Sequence, residues 1–218
     1  WCDNRLGDSQ IYGARVRPDG TVLDTGGLRI SLDSPRSTYQ DVTSNGSDYF
    51  VVWEDRRNGI VAADIHGARV TSSGIVLDTN AIGISTAIGS QGVPLVTFGN
   101  NCYLAIWQDG RRFFPPSDLY CARISSTGQV LDTAGVLIAE SSGEWWYNCP
   151  EACIFDGENF LVIWMKAEAG CWGNFYGARV SPAGVVLDTF LVCSEWVEFG
   201  HRADAIKGPG TQCLIAYD

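Results

Sequence analysis

Four nearly identical segments, almost evenly spaced, constrain this chain more than any other feature. IYGARVRPDGTVLDT from Ile11, IHGARVTSSGIVLDT from Ile65, LYCARISSTGQVLDT from Leu119 and FYGARVSPAGVVLDT from Phe175 align without a gap. Their arginines, Arg15, Arg69, Arg123 and Arg179, are separated by 54, 54 and 56 residues. A second motif alternates with the first: YFVVWEDRR from Tyr49, YLAIWQDGR from Tyr103, FLVIWMK from Phe160 and CLIAYD from Cys213. A period of this length implies one supersecondary unit per repeat, which buries its apolar faces by stacking on its neighbours.

Each unit reads as four strands, a to d. Strand a ends in a tight turn at SNGSD (Ser44), FGNN (Phe98), FDGEN (Phe155) or KGPG (Lys207), where Asn-Gly and Asp-Gly tolerate positive φ. Strand b is a continuous apolar run ending at Trp53, Trp107, Trp164 or Tyr217, as expected of a strand buried on both faces. Strand c is the G-A-R-V segment, whose following turn always closes on glycine: Gly20, Gly74, Gly128 or Gly184. Strand d is placed on the V-L-D segment around Leu23, Leu77, Leu131 and Leu187.

Four hairpin-connected strands, repeated with no helical period, predict an all-β chain: a four-bladed β-propeller of four-stranded antiparallel blades, residues 1–218 forming one domain. A solenoid is the competing architecture. The ends favour the ring, because strands a and b of one interval come from the C-terminus and c and d from the N-terminus. One blade is thereby expected to be shared between the termini. Trp1 and Tyr217 nevertheless hold the same repeat position, which a single ring fills once.

Over essentially its whole length the chain resembles bacterial tandem repeats of W-x-D-x-R followed by G-A-R-V and G-x-V-L-D, found as propeller blades in secreted and cell-surface proteins. The resemblance implies the fold and carries no catalytic residue, since similar propellers serve many purposes. Trp164-Met165-Lys166 departs from W-x-D, and Cys121 replaces the glycine of the third G-A-R-V.

Composition excludes several classes. A formal charge of −10 with no basic patch disfavours nucleic acid, and no apolar run is long enough for membrane insertion. Opening on Trp1 reads as a processed product or an excerpt. Eight cysteines favour an oxidising, secreted or cell-surface setting, with disulfides preferred over metal because paired C-x-x-C spacing is missing. Cys102 and Cys121 lie on facing strands of one hairpin and are the expected bridge. Cys149, Cys153, Cys171 and Cys193 are placed near the loop-rich fourth blade, whereas Cys2 and Cys213 would lie roughly 16 Å apart in a closed ring. No cofactor is expected.

Scaffold residues should recur in every blade, and ligand-binding ones need not. Asp3 with Arg5, Asp55 with Arg57 and Asp109 with Arg111 read as turn-stabilising pairs. Asp24, Asp78, Asp132 and Asp188 are expected to bond their own turns, and the four G-A-R-V arginines to lie along blade surfaces with solvated heads. His66 replaces a tyrosine as a packing variant. The singular aromatics Trp145, Trp146, Tyr147, Trp196 and Phe199 fall in d-to-a connections, and Phe113, Phe114 and Trp172 in b-to-c loops. Both connections emerge on one side of a propeller, so these residues are the candidate binding face, with capping of a small core as the plain alternative.

Two functions follow as expectations. The first is a non-enzymatic extracellular binding or assembly module, contacting glycan, protein or its own copies head to tail. The alternative is a glycan-active hydrolase or lyase, which needs facing carboxylates; Asp41, Glu144, Glu151 and Asp204 are candidates, although they are read as holding no shared repeat position. A cation held by Asp41 or Asp204 has no supporting loop motif.

Overall fold

In a computed structural model, residues 1–34, 36–112, 117–141, 146–168, 172–198, 203–209 and 212–217 are described, with backbone alone at 146, 168 and 195–198. The described strands are β1 (Cys2–Asp3), β2 (Gln10–Gly13), β3 (Leu28–Arg29), β4 (Ser37–Ser44), β5 (Asp48–Asp55), β6 (Asp64–Thr71), β7 (Ile82–Ser85), β8 (Gln91–Gly99) and β9 (Cys102–Asp109). They continue as β10 (Asp118–Ser125), β11 (Val136–Ala139), β12 (Trp146–Phe155), β13 (Phe160–Glu168), β14 (Trp172–Val180), β15 (Val186–Glu198), β16 (Ala203–Lys207) and β17 (Cys213–Tyr217). They form three complete antiparallel sheets, β4 to β7, β8 to β11 and β12 to β15, flanked by the three-stranded β1-β2-β3 and the two-stranded β16-β17.

Strands a, b and c fall where the repeat places them; strand d does not. The V-L-D segment is a turn, and the fourth strand of the second and third sheets follows it, as IGIS in β7 and VLIA in β11. The cause is the aspartate. Asp24 accepts the Arg15 N–H and both guanidinium arms, while Leu23 N–H donates to Arg15 C=O, so the chain folds back before strand d begins. Only β15 runs continuously through Leu187 and Asp188.

The shared blade is also corrected: β1-β2-β3 and β16-β17 are separate sheets. β1 already occupies the tryptophan end of strand b, with Cys2 opposite Ile11 and Asp3 opposite Gln10, the level that Tyr217 would otherwise claim.

Between sheets lie four apolar layers. Phe50, Val52 and Ile65 of the second sheet pack on Tyr103, Ala105 and Trp107 of the third; Leu104 and Ile106 pack in turn on Phe160 and Val162 of the fourth. Strand b thus buries both faces, which is why its sequence does not alternate. Backbone bonds join successive sheets where each strand a begins: Ser37 N–H to Ser9 C=O (2.8 Å), Gln91 N–H to Ala63 C=O (2.7 Å) and Asn148 N–H to Ser117 C=O (3.2 Å).

Arg15, Arg69 and Arg123 are clamps between sheets, which corrects the expectation of solvated heads for these three, whereas Arg179 pairs with Asp188 of its own sheet and keeps a half-exposed side chain. Arg15 pairs with Asp24 and sends Nη1 to Ser72 C=O of the next sheet at 2.9 Å; Arg123 pairs with Asp132 and reaches Pro182 C=O at 3.0 Å. The recurring turn glycine receives that guanidinium: a Cβ on Gly74, Gly128 or Gly184 would lie within 3.0 Å of Arg15, Arg69 or Arg123 respectively. The pairing holds the Asp24 carboxyl down at about 2.

Candidate functional site

The three D-x-R turns form as expected. Arg5, Arg57 and Arg111 each donate a backbone N–H to the aspartate two residues earlier, at 2.9 Å, and return a guanidinium to the same carboxylate. Arg5 and Arg111 also lie over Tyr12 and Tyr120, 4.5 and 4.0 Å from the ring centroids. At His66 no such ring exists; its Nδ1 sits 3.7 Å from Asp55 Oδ2 without a hydrogen-bond partner among the described residues. Burial lowers the His66 pKa, opposed by the Asp55 charge.

The b-to-c loops and d-to-a connections do share one side. Ser34 bonds Asp55 and receives Arg57, and Ser90 Oγ donates to Ile60 C=O. Ser141 N–H donates to Asp118, which Arg112 also holds. The aromatic face cannot be assembled from the described residues. Phe113, Phe114, Trp145 and Phe199 lie outside them, as do Cys171 and Glu144, and Trp146 and Trp196 contribute backbone only. Tyr147 lies in β12 opposite Ala167, and Trp172 opens β14 with its side chain 48% exposed.

The expected Cys102–Cys121 bridge is not formed, because the hairpin register sets Cys102 opposite Ser125 and Cys121 opposite Ile106. Cys102 and Cys121 pack in one apolar layer with Cys153, and Cys149, Cys193 and Cys213 in the next. Cys2, Cys102, Cys121, Cys149, Cys153 and Cys213 are thiols, and burial pushes Cys121 and Cys149 up to about 12.

Polar chemistry converges instead between the second and third sheets, at the loop end of the inner strands. Strand a bulges in each complete sheet, the register slipping between Thr38 and Asp41, between Gly92 and Leu95, and between Pro150 and Ala152. Two bulge residues take left-handed backbone, Tyr39 (φ 49°) and Val93 (φ 51°). The latter is β-branched and strained there, a condition that persists where surrounding contacts enforce it.

Two carboxylates of the second sheet supply those contacts. Asp41 lies opposite Val52 and Glu54 opposite Thr38, so both point from the same face of the sheet, their backbones about two strand residues, or ~7 Å, apart. Asp41 Oδ2 accepts Val96 N–H at 2.8 Å and Glu54 Oε2 accepts Val93 N–H at 3.3 Å, so the pair straddles the β8 bulge. Glycine at 92 permits the approach, since a Cβ there would lie 2.6 Å from Glu54 Oε2. Burial raises the Asp41 pKa, against the pull of the Val96 and Val42 amides. Glu54 is ion-paired with Arg56, whose guanidinium stands 5.3 Å from the Tyr39 ring centroid.

Beside Glu54, with Asp41 behind its lining, opens a cleft of about 180 Å³ lined by Tyr39, Glu54, Arg56, Val93, Gln108 and Ser117, among others. Its polar groups include a carboxylate, a guanidinium, an amide and a buried Ser117 hydroxyl with no hydrogen-bond partner among the described residues. With an exposed aromatic ring at the rim, this donor set suits a polyhydroxylated ligand. Glu54, Arg56, Gln108 and Tyr39 are absent from the sequence candidates. A signal was present: the x of W-x-D is Cys2, Glu54, Gln108 and Met165 in successive repeats, so Glu54 is a singular residue on a buried strand.

Asp41 and Asp204 do share a repeat position. Asp204 lies opposite Ala216, the counterpart of Val52, and each aspartate accepts the next residue's N–H at 2.8 Å. Glu151 falls in the β12 bulge. Among the described residues no cluster of His, Cys, Asp and Glu with metal-binding geometry occurs, and no helix is long and apolar enough to cross a membrane.

No family model and no curated protein matches the sequence. Solved structures do match in fold. A β-1,2-mannobiose phosphorylase from Listeria innocua aligns with TM-score 0.61 and 13% identity over 96% of this chain and 63% of that one. An N-acetylgalactosamine deacetylase from F. plautii, in complex with blood group B trisaccharide, gives 0.59 and 9% over 94% and 70%. An endo-arabinase from Bacteroides thetaiotaomicron gives 0.55 and 12% over 99% and 82%. At these identities the likeness shows a propeller-like all-β fold. It also overturns the expectation of a non-enzymatic binding or assembly module, because these similar structures are enzymes acting on glycans.

Proposed function

We propose that this chain is a glycan-active enzyme of propeller type whose reaction site is the cleft between β4–β5 and β8. The observation that carries the reading is the Asp41/Glu54 pair, which projects from one sheet face around the strained β8 bulge. Cleaving a glycosidic bond needs one carboxyl that donates a proton to the leaving oxygen and a second that stabilises or attacks the sugar from the other side. Asp41, held protonated to higher pH by burial, is the donor; Glu54, oriented by Arg56, is the second group. Gln108 and Ser117 bond ring hydroxyls, and Tyr39 offers a face to the sugar. The glycan activities of the fold's neighbours support this choice. A secreted or surface location, which the eight cysteines first suggested, suits a polymeric glycan substrate.

The test is product release from a panel containing arabinan, mannooligosaccharides and blood-group-type oligosaccharides. Asp41→Asn and Glu54→Gln should each lower the rate by at least ~100-fold while leaving the melting temperature within a few degrees. Turnover that survives both substitutions refutes the assignment of this site. An inactive wild type across the panel refutes the reading as an enzyme on these glycans.

A further inference from the structure

The b-to-c loop of the second sheet is two residues longer than that of the first, and the residues it adds are apolar. Both loops make the same turn after Asp3 or Asp55: Gly7 N–H donates to Asn4 C=O and Gly59 N–H to Arg56 C=O, each at 2.9 Å, with φ at 100° and 98°. Both then join the next sheet by the same backbone bond, from Ser37 N–H to Ser9 C=O and from Gln91 N–H to Ala63 C=O. Between turn and bond the first loop has Asp8, whereas the second has Ile60, Val61 and Ala62. The scaffold is therefore complete without Ile60 and Val61.

These two side chains are 60% and 65% exposed, on a single 3-10 turn that Ala62 completes. The turn is held in place, because Ala62 N–H donates to Gly59 C=O at 3.2 Å and Ile60 C=O accepts Ser90 Oγ at 2.9 Å. Apolar groups left in water contribute little to folding, and presenting them rigidly lowers the entropy cost of binding a ligand. Ile60 lines the cleft that holds Glu54 and Arg56, and Ile88, two residues before Ser90, is 87% exposed. The third repeat has the same longer loop and carries Phe113-Phe114-Pro115-Pro116 directly before Ser117, which also lines the cleft.

At about 180 Å³ the cleft is smaller than the roughly 300–1,000 Å³ that encloses a whole drug-sized ligand, so it takes one end of a ligand and leaves the rest on the lip. A second sugar there would set hydroxyls against side chains that offer no hydrogen bond, whereas an apolar group would cover their methyls. We infer that Ile60 and Val61 form a subsite for an apolar aglycone, which makes the substrate an aryl or alkyl glycoside. The subsite rests on the glycan reading of the cleft and narrows its substrate class. Polar groups in the cleft hold the sugar, and the lip selects what the sugar carries.

The experiment is calorimetric titration of the whole protein with matched methyl and phenyl glycosides of arabinofuranose, mannose and N-acetylgalactosamine, which reads binding without turnover. In at least one series the phenyl glycoside should bind ~10-fold tighter than the methyl or better. Ile60→Ser/Val61→Ser should reduce that advantage to under about threefold and leave methyl glycoside affinity within about twofold. A variant lacking both residues, with the loop length that the first repeat already uses, should do the same. A phenyl advantage that is missing, or that survives in both variants, overturns the inference and leaves the cleft reading standing. Benzyl alcohol competing as well as the phenyl glycoside also overturns it, since the lip would then take apolar groups without a sugar. Binding of no glycoside at all overturns the subsite and the glycan reading together.

Discussion

Replacing Gly184 and Gly20 by alanine, one at a time, separates two costs that the repeat otherwise merges. Both glycines close the same turn with nearly the same backbone, φ 81° and 84°. Alanine at either site therefore carries a left-handed penalty of about 1–2 kcal/mol. At Gly20 the new methyl meets nothing within 4 Å. At Gly184 it would lie 2.7 Å from Arg123 Nε, so the guanidinium must leave Pro182 C=O and loosen its grip on Asp132. A hydrogen bond from a charged group is worth about 1.5–3 kcal/mol, reduced here to about 1–2 because the Arg123 side chain is partly exposed. The two substitutions should then differ by about 1–2 kcal/mol, or roughly 2–8 °C in melting temperature for a chain of this size. Thermal melts followed by circular dichroism measure it, and urea titration checks the order. In an Arg123→Met background the Gly184→Ala penalty should fall to the Gly20→Ala value. Equal losses in the original background would refute the clamp.

Other consequences are as direct. His66→Tyr restores the ring that the other sheets place beneath the turn arginine and should raise the melting temperature by a few degrees. Because burial depresses the His66 pKa below its unfolded value near 6.5, the unfolded chain binds the extra proton first. Stability should thus fall as pH drops below about 6.5, and His66→Tyr should flatten that limb of a urea-midpoint profile. If Asp41 donates the proton, activity should fall as pH rises through its raised pKa; an alkaline limb unchanged in Asp41→Glu would argue against it. In native protein at pH 7.5, the exposed Cys2 should alkylate within minutes, while Cys121, buried with its thiol at about 12, should stay unmodified until unfolding, as read by peptide mass mapping.

Much of the architecture was legible because the repeat states it four times. Strands b and c, the turn glycines and the D-x-R turns follow from residue type and position alone. The misplaced strand d shows the limit: V-L-D looks extended by composition, yet Asp24 is recruited by an arginine nine residues earlier, and a side-chain clamp overrides local β-propensity. The Cys102–Cys121 bridge failed on register, since facing strands do not make facing residues. The cleft was hidden for a different reason. Glu54 sits inside a motif that reads as scaffold, and its meaning depends on a bulge in the next sheet that leaves room for it at Gly92. Singular aromatics drew attention to the loops, while the singular acid lay on a buried strand.

A crystal of Glu54→Gln soaked with an oligosaccharide that the wild type cleaves tests the central claim most directly. The account predicts a sugar ring against Tyr39, with its glycosidic oxygen within hydrogen-bond reach of Asp41 and its hydroxyls on Gln108 and Ser117. A sugar seated elsewhere on the molecule, with the cleft between β4–β5 and β8 holding only water, would contradict it.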